Sequence, residues 1–298
     1  MPPAALLTRC TFPPAGTAVS CAVSGGADST AMLALAVAAN CHATAIHVDH
    51  GLRDDSAAEA AIVEATALRL GAAFRSVRVE VGRGPNQEAR ARAARYGALP
   101  TDVMTGHTAD DQAETLIVNL LRGAASAGLG AMRPGPRRPI LALRRHETAA
   151  LCAELGLTVV HDPSNDDPRH LRNRVRHELL PLIADMSRRD PVPVLVRQAD
   201  IARADADFLD DLAKEVDPTD AHSLMAAPKA LARRAVRRWL SADHPPDAAT
   251  VERVLAVAGG EAVATDIGGG KSVRRSRQKL SVVMSTTPDV GPTNTPNR

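Results

Sequence analysis

A pair of glycines at a strand-to-helix turn constrains this chain more than any other feature in it. An apolar run from Thr17 to Val23 is cut by Ser24-Gly25-Gly26 and followed by the helix-forming stretch Ala31–Ala39, so strand, turn and helix come in immediate succession. In such a turn successive backbone N–H groups converge, and the dipole of the following helix reinforces them, so the natural occupant is an anion. Ser24, Ser29 and Thr30 add hydroxyls, whereas Asp28 adds a negative charge to the same nest. A carboxylate beside a bound anion calls for a cation between them, which points to Mg2+ held by Asp28 directly or through water. The turn lacks the terminal Lys of G-x-x-x-x-G-K-[ST] and the spacing of G-x-G-x-x-G, which disfavours both a P-loop NTPase and a dinucleotide dehydrogenase.

The strand–helix unit recurs. Strands are expected through Ala45, Ile46 and Val48, over Arg75–Val81 and over Asp102–Thr105, and helices over Ser56–Leu70, Asn86–Leu99 and Ala109–Leu121. Alternation of this kind implies an α/β fold, a doubly wound parallel sheet with right-handed crossovers and helices on both faces. Ligands in such sheets sit at the carboxyl ends of the strands. Three polar clusters follow predicted strands directly: Ser24–Ser29, His47–Arg53 and Gly106–Glu114.

Beyond about Met186 the pattern becomes helical, over Val194–Lys214, Pro228–Leu240 and Asp247–Ala258, and ends in a weakly alternating stretch around Gly268-Gly269-Gly270 that reads as a short hairpin. The expected organisation is a catalytic domain over 1–187, a smaller, mainly helical domain over 188–286 and a disordered Thr/Pro/Asn-rich tail over 287–298. Aromatic residues are only 2%, so base stacking on an aromatic platform is largely closed to this chain. With a net charge of only +2, any grip on nucleic acid must come from local clusters of arginine. Arg233, Arg234, Arg237 and Arg238 would form one such stripe on a helix. Four cysteines without a C-x-x-C pair disfavour zinc, disulfide and iron–sulfur frameworks and suit a reducing cytoplasm, and no segment reaches the ~20 apolar residues of a membrane span.

The Ser24-Gly25-Gly26-Ala27-Asp28-Ser29 run resembles the S-G-G-x-D-S signature of the PP-loop ATP pyrophosphatase superfamily, which binds the β and γ phosphates that leave as pyrophosphate. Further along stand His47-Val48-Asp49-His50-Gly51-Leu52-Arg53, Asn86–Arg92 with Arg95-Tyr96, Gly106-His107, Asp110–Thr115, Asp162–Asn165 and Arg172–Arg176. In this order and spacing, over roughly Val19–Leu182, the series resembles the tRNA(Ile)-lysidine synthetase family. The resemblance implies ATP-dependent ligation of L-lysine to carbon 2 of the wobble cytidine of tRNA(Ile) with a CAU anticodon, through an adenylated cytidine; the expected protein is a cytoplasmic monomer or homodimer with no membrane partner. It assigns ATP to Ser24, Gly25, Gly26, Ala27, Asp28, Ser29, His47, Asp49 and Gly106, with Mg2+ on Asp28. Lysine falls to His107, Asp111 and Glu114, with Asp110 able to exchange roles with Asp111; catalysis falls to Asp28, Asp111 and Arg174; tRNA falls to Arg92, Arg95 and Arg172, to which the helical stripe adds Arg233, Arg234 and Arg237. On a helix Asp111 and Glu114 are three apart and can converge into a seat for an ammonium group. The competing readings are a PP-loop tRNA cytidine thiolase and a non-catalytic tRNA-binding protein.

Overall fold

The computed structural model describes residues 3–49, 56–79, 90, 94, 97–161, 166–241 and 245–284. These fall into two units, residues 1–203 and 204–298. The first begins with a short helix α1 (Pro3–Leu7), then β1 (Ala18–Ala22), α2 (Ala27–Ala38), β2 (His42–Asp49), α3 (Ser56–Leu70), β3 (Ala73–Arg78) and β4 (Met104–Thr105). Next come α4 (Ala109–Leu121), α5 (Ser126–Leu129) and α6 (Arg145–Glu154). The expected helix over Asn86–Leu99 lies largely outside the described residues.

The sheet is parallel throughout and its strand order is β3-β2-β1-β4. Cys21 of β1 stands opposite Ala45 of β2 on one side and Met104 of β4 on the other, so β1 is central. From β1 the chain steps outward through β2 to β3 and then returns to the far side of β1 as β4. The strand order therefore reverses between β1 and β4, and the crevice at their carboxyl ends is where ligands of doubly wound sheets bind. β4 is shorter than the Asp102–Thr105 run expected, since its pairing with β1 covers only Met104 and Thr105.

Helix α2 leaves the glycine turn and is buried continuously from Ser29 to Ala36. Its Met32, Leu33 and Leu35 are fully enclosed against β1, β2 and α6, in a core built from aliphatic side chains and the thiols of Cys21, Cys41 and Cys152. Truncating one of these leucines to Ala costs about 2–5 kcal/mol, so the glycine turn leads into a well-packed helix.

A helical run follows: α7 (Leu171–Arg174), a π-helical turn (Val175–Leu179) and α8 (Leu180–Ser187). Pro181 explains the widened turn. Its ring would collide with the carbonyl of His177 in a regular α-helix, and one extra residue per turn relieves that contact.

Helix α9 (Val192–Leu212) runs across the division between the units, so the boundary lies within this helix rather than at the expected 187/188. The second unit continues with α10 (Ala221–Ala226), α11 (Lys229–Leu240) and α12 (Ala248–Gly259). It ends in an antiparallel meander of β5 (Ala264–Gly268), β6 (Lys271–Ser276) and β7 (Lys279–Met284). The expected hairpin is thus a three-stranded sheet. Its first turn uses Gly268, Gly269 and Gly270, all at positive φ, and a second turn at Arg277, also at positive φ, escaped notice because no glycine marks it. Ala232, Ala235 and Val236 of α11 pack with Val251, Val254 and Val257 of α12 and with Val273 and Leu280 of the meander. The expected tail over 287–298 lies outside the described residues. No described helix is long and apolar enough to cross a membrane.

Candidate functional site

The glycine turn is held open by its own backbone and hydroxyls. Gly25 sits at φ +88°, a conformation that favours glycine, and a Cβ there would meet Val160 Cγ2 at 2.9 Å. Its carbonyl accepts from Val160 N at 2.9 Å. Ser29 Oγ donates to the Gly26 carbonyl at 3.0 Å, accepts from Ser24 N at 3.2 Å and lies 3.2 Å from Ser24 Oγ. His47 is buried at the end of β2, and its Nδ1 lies 2.9 Å from the Val23 carbonyl, where it braces the root of the turn. Asp49 ends the same strand.

Gly106, just after β4, is the closest approach of the neighbouring loop. A Cβ there would fall 2.8 Å from the carbonyl carbon and oxygen of Asp28 and 2.8 Å from Ser29 Cα. These are backbone atoms that cannot swing aside, so the loops after β1 and β4 meet through a glycine because nothing larger fits. His107 follows, with Nδ1 2.8 Å from Thr105 Oγ1.

From here α4 presents the acidic cluster. Asp111 caps its own helix: Oδ2 accepts from Thr108 N at 2.8 Å and from Thr108 Oγ1 at 2.9 Å. Its other oxygen, Oδ1, accepts from Arg145 Nη2 at 3.1 Å and Arg172 Nη2 at 2.9 Å. Glu114, fully buried, accepts from Arg145 Nη2 at 3.0 Å and Arg176 Nε at 2.7 Å through Oε1, and from Arg172 Nε at 2.8 Å and Arg176 Nη2 at 3.1 Å through Oε2. The same Arg145 places Nε 3.5 Å from Asp28 Oδ2, and Asp28 Oδ1 accepts from Thr148. Asp28, Asp111 and Glu114 therefore face Arg145, Arg172 and Arg176, three carboxylates against three guanidiniums.

Burial pushes the Asp28 carboxyl up to about 6, with the nearby Asp111 charge adding to the effect and Thr148 and Arg145 opposing it. Asp111 is also raised by burial, but the charges of Arg145 and Arg172 outweigh that and hold its carboxyl below the usual range.

Asp110 has a different set of partners from Asp111. It accepts two bonds from Arg144, at 3.1 Å each, and one from Arg145 N at 2.8 Å, which ties the start of α4 to the start of α6. Gln112 is likewise structural, pairing both amide atoms with the backbone of Met132 at 2.9 Å.

Arg174 is not brought to the cluster. It is exposed and pairs with Glu178 one turn along, at 2.9 Å. The reason is helical phase: Arg172 and Arg176 are four apart and share a face, whereas Arg174, two from each, points the opposite way. Arg172, expected at the tRNA, points instead into the acidic cluster. Arg92 and Arg95 lie outside the described residues. In the second unit Arg233 and Arg237 are exposed on α11, but the expected stripe is partly neutralised: Arg233 pairs with Glu252 and Arg234 with Asp210.

Sequence reasoning missed Arg145 and Thr148. A signal for the first was present, because Arg144-Arg145 opens α6 and the positive end of a helix dipole repels cations. A basic pair there implies carboxylates facing it.

The four cysteines are free thiols, and burial pushes them up, to about 11 for Cys10 and Cys152 and about 12 for Cys21, with Cys41 raised as well. Thiols held protonated are poor sulfur nucleophiles, which weighs against a thiolase. Among the described residues no group of three or more His, Cys, Asp or Glu is arranged to hold a metal ion. The chemistry at Asp28 suits Mg2+ nonetheless, since that ion is commonly bound by one or two carboxylates with nucleotide phosphates supplying further oxygens.

Residues 6–183 match the PP-loop domain family, and residues 220–281 match the family described as the TilS substrate binding domain. The tRNA(Ile)-lysidine synthase of Nocardia farcinica is 42% identical over 245 residues, 77% of this chain and 77% of that protein. The tRNA(Ile)-lysidine synthase of Mycobacterium tuberculosis is 40% identical over 242 residues, 75% of each, and that of Thermobifida fusca 39% identical over 272, covering 82% of this chain and 83% of its own. Among solved structures, the U34-tRNA thiolase NcsA of Methanococcus maripaludis superposes with a TM-score of 0.54 over 68% of this chain and 78% of its own, at 16% identity. At that identity the likeness is one of fold.

Proposed function

The chain belongs to the tRNA(Ile)-lysidine synthase family, and from that premise we propose how its site divides the reaction. It is an ATP-using ligase that forms lysidine in tRNA. The Ser24–Ser29 turn receives the β and γ phosphates and keeps the departing diphosphate, while Asp111 and Glu114 seat the ammonium of L-lysine. The carbonyl oxygen of the wobble cytidine of tRNA(Ile) with a CAU anticodon attacks the α phosphorus, the bond to the diphosphate breaks, and an adenylated cytidine results. The ε-amine of lysine then attacks carbon 2, the bond to AMP breaks and the amine releases its proton.

Bound at Asp28, Mg2+ would neutralise the phosphate charge. The protein groups position and stabilise: backbone N–H groups of Gly25–Ser29 face the leaving group, and Arg172 and Arg176 offer guanidiniums to the phosphoryl charge or the lysine carboxylate. Exposed Arg233 and Arg237 of the second unit supply phosphate contacts, with Arg234 joining them once it leaves Asp210.

One observation carries this reading. Gly106 packs onto the backbone of Asp28, and Arg145 reaches Asp28, Asp111 and Glu114 at once, so one side chain joins the glycine turn to the acidic cluster. Incubation with ATP, Mg2+, labelled lysine and a CAU-anticodon transcript should place label in RNA. Pyrophosphate release that depends on sulfide, with no lysine incorporated, would favour the thiolase.

A further inference from the structure

The seat read above for lysine already holds cations. Glu114 is fully enclosed and its two oxygens accept four bonds from three arginines. An added ammonium cannot simply join them: there is no free carboxylate lone pair of good geometry, and the three acids are already balanced by three bases. One arginine must yield.

The three are not equivalent. Arg172 and Arg176 direct their ion pairs to Asp111 and Glu114. Arg145 also reaches Asp28 of the phosphate turn, with Nε 3.5 Å from Oδ2. It stands at the start of α6, where the helix dipole disfavours its charge and favours an anion. It is thus the arginine with a further partner within reach, and that partner belongs to the glycine turn.

We propose that Arg145 is a displaceable counter-cation that couples nucleotide and lysine binding. In the empty site it fills the place of the substrate ammonium at Asp111 and Glu114. A triphosphate brought to the turn offers its guanidinium a charge-assisted partner of higher negative charge, and as Arg145 turns toward the phosphates the ammonium takes the place it leaves. Arg145 is a positioning residue here, and the site becomes a good lysine binder only when the nucleotide is in place. The inference rests on the lysine-seat reading and deepens it.

Calorimetric titration of L-lysine into the full chain, with and without Mg2+ and a non-hydrolysable α,β-methylene ATP analogue, tests it. In the wild type the analogue should tighten lysine binding about 10-fold or more, and lysine should tighten the analogue by the same factor. In Arg145→Gln the nucleotide-free protein should bind lysine about 10-fold more tightly than wild type, and the analogue should add little, a pattern that loss of a merely structural contact does not produce. Arg145→Lys, which keeps the charge but cannot span Asp28 and Glu114 together, should stay weak without nucleotide and lose most of the coupling, and it carries the test if the glutamine variant fails to fold.

A full nucleotide effect in Arg145→Gln would overturn the proposal. So would weaker lysine binding in that variant both with and without the analogue at unchanged thermal stability, because Arg145 would then build the seat instead of competing for it. If wild type binds lysine but ignores the analogue, the coupling fails alone; if wild type binds no lysine in either condition, the seat reading fails and takes the coupling with it.

Discussion

The two halves of the site are built by opposite means. The phosphate turn is contiguous, Ser24–Thr30, and most of its shape comes from local bonds such as Ser29 Oγ to the Gly26 carbonyl and Thr30 Oγ1 to the Gly25 carbonyl. The acidic seat is assembled from α4, α6 and the run from α7 into the π-turn, and its bonds join residues more than 30 positions apart. A contiguous backbone nest binds through fixed dipoles and tolerates little change of shape. An assembled cluster of paired charges binds by exchange, so its members can trade partners as ligands arrive. Arg145 and Gly106 are where the rigid half meets the exchangeable one.

Changes in the rigid half should be the most costly. Asp28→Ala should lower diphosphate release by roughly 10³-fold while tRNA binding, measured by filter retention, stays nearly intact; equal loss of both would mean the unit has unfolded. Gly106→Ala presses a methyl group against the Asp28 backbone at 2.8 Å and should reduce kcat about 10²-fold by displacing the turn. If that variant is fully active, the two loops do not need their close contact, and the contrast between halves loses its physical basis.

In the exchangeable half, Arg176→Ala should raise KM for lysine about 10-fold, by removing the guanidinium that holds Glu114 through both oxygens and is offered to the lysine carboxylate. The same change at Arg174, exposed and paired only along its own helix, should alter activity by less than about twofold. Reversal of that order would contradict the placement by helical phase.

A smaller effect follows from Asp28, whose burial raises the carboxyl to about 6. Raised above its unfolded value of 3.8, this group contributes stability that is fully present below about pH 4 and is lost as pH rises through about 6. Replacing it by Asn should therefore stabilise the nucleotide-free protein by roughly 3 kcal/mol above pH 7 and have little effect near pH 4. A pH-independent difference in thermal midpoint would show that Asp28 titrates normally.

The same contrast explains what was legible in the sequence. Contiguity carried the phosphate turn, the alternating strands and helices, and α4 at Ala109–Leu121, because glycines, caps and apolar periodicity are local signals. The partners of Asp111 and Glu114 were not local. Asp110 and Asp111 look alike in sequence, and only the arrival of Arg144, at the cap of α6, separates their partners. The resemblance assigned catalysis to Arg174, whereas the helix turns Arg174 toward Glu178 and brings Arg172 and Arg176 to the acidic cluster. Arg145 lay outside every motif, and its anomalous place at a helix N-terminus was the one sign it gave. In the second unit a turn made by Arg277 rather than by glycine hid the third strand.

The measurement that bears most directly on two joined half-sites with separable duties follows two labels at once, α-phosphate-labelled ATP and labelled lysine, on a CAU-anticodon tRNA. Glu114→Gln should still transfer labelled AMP to the tRNA but add little lysine, and Asp28→Ala should do neither. Lysine incorporation at the wild-type rate by Glu114→Gln, or normal AMP transfer by Asp28→Ala, would contradict the account.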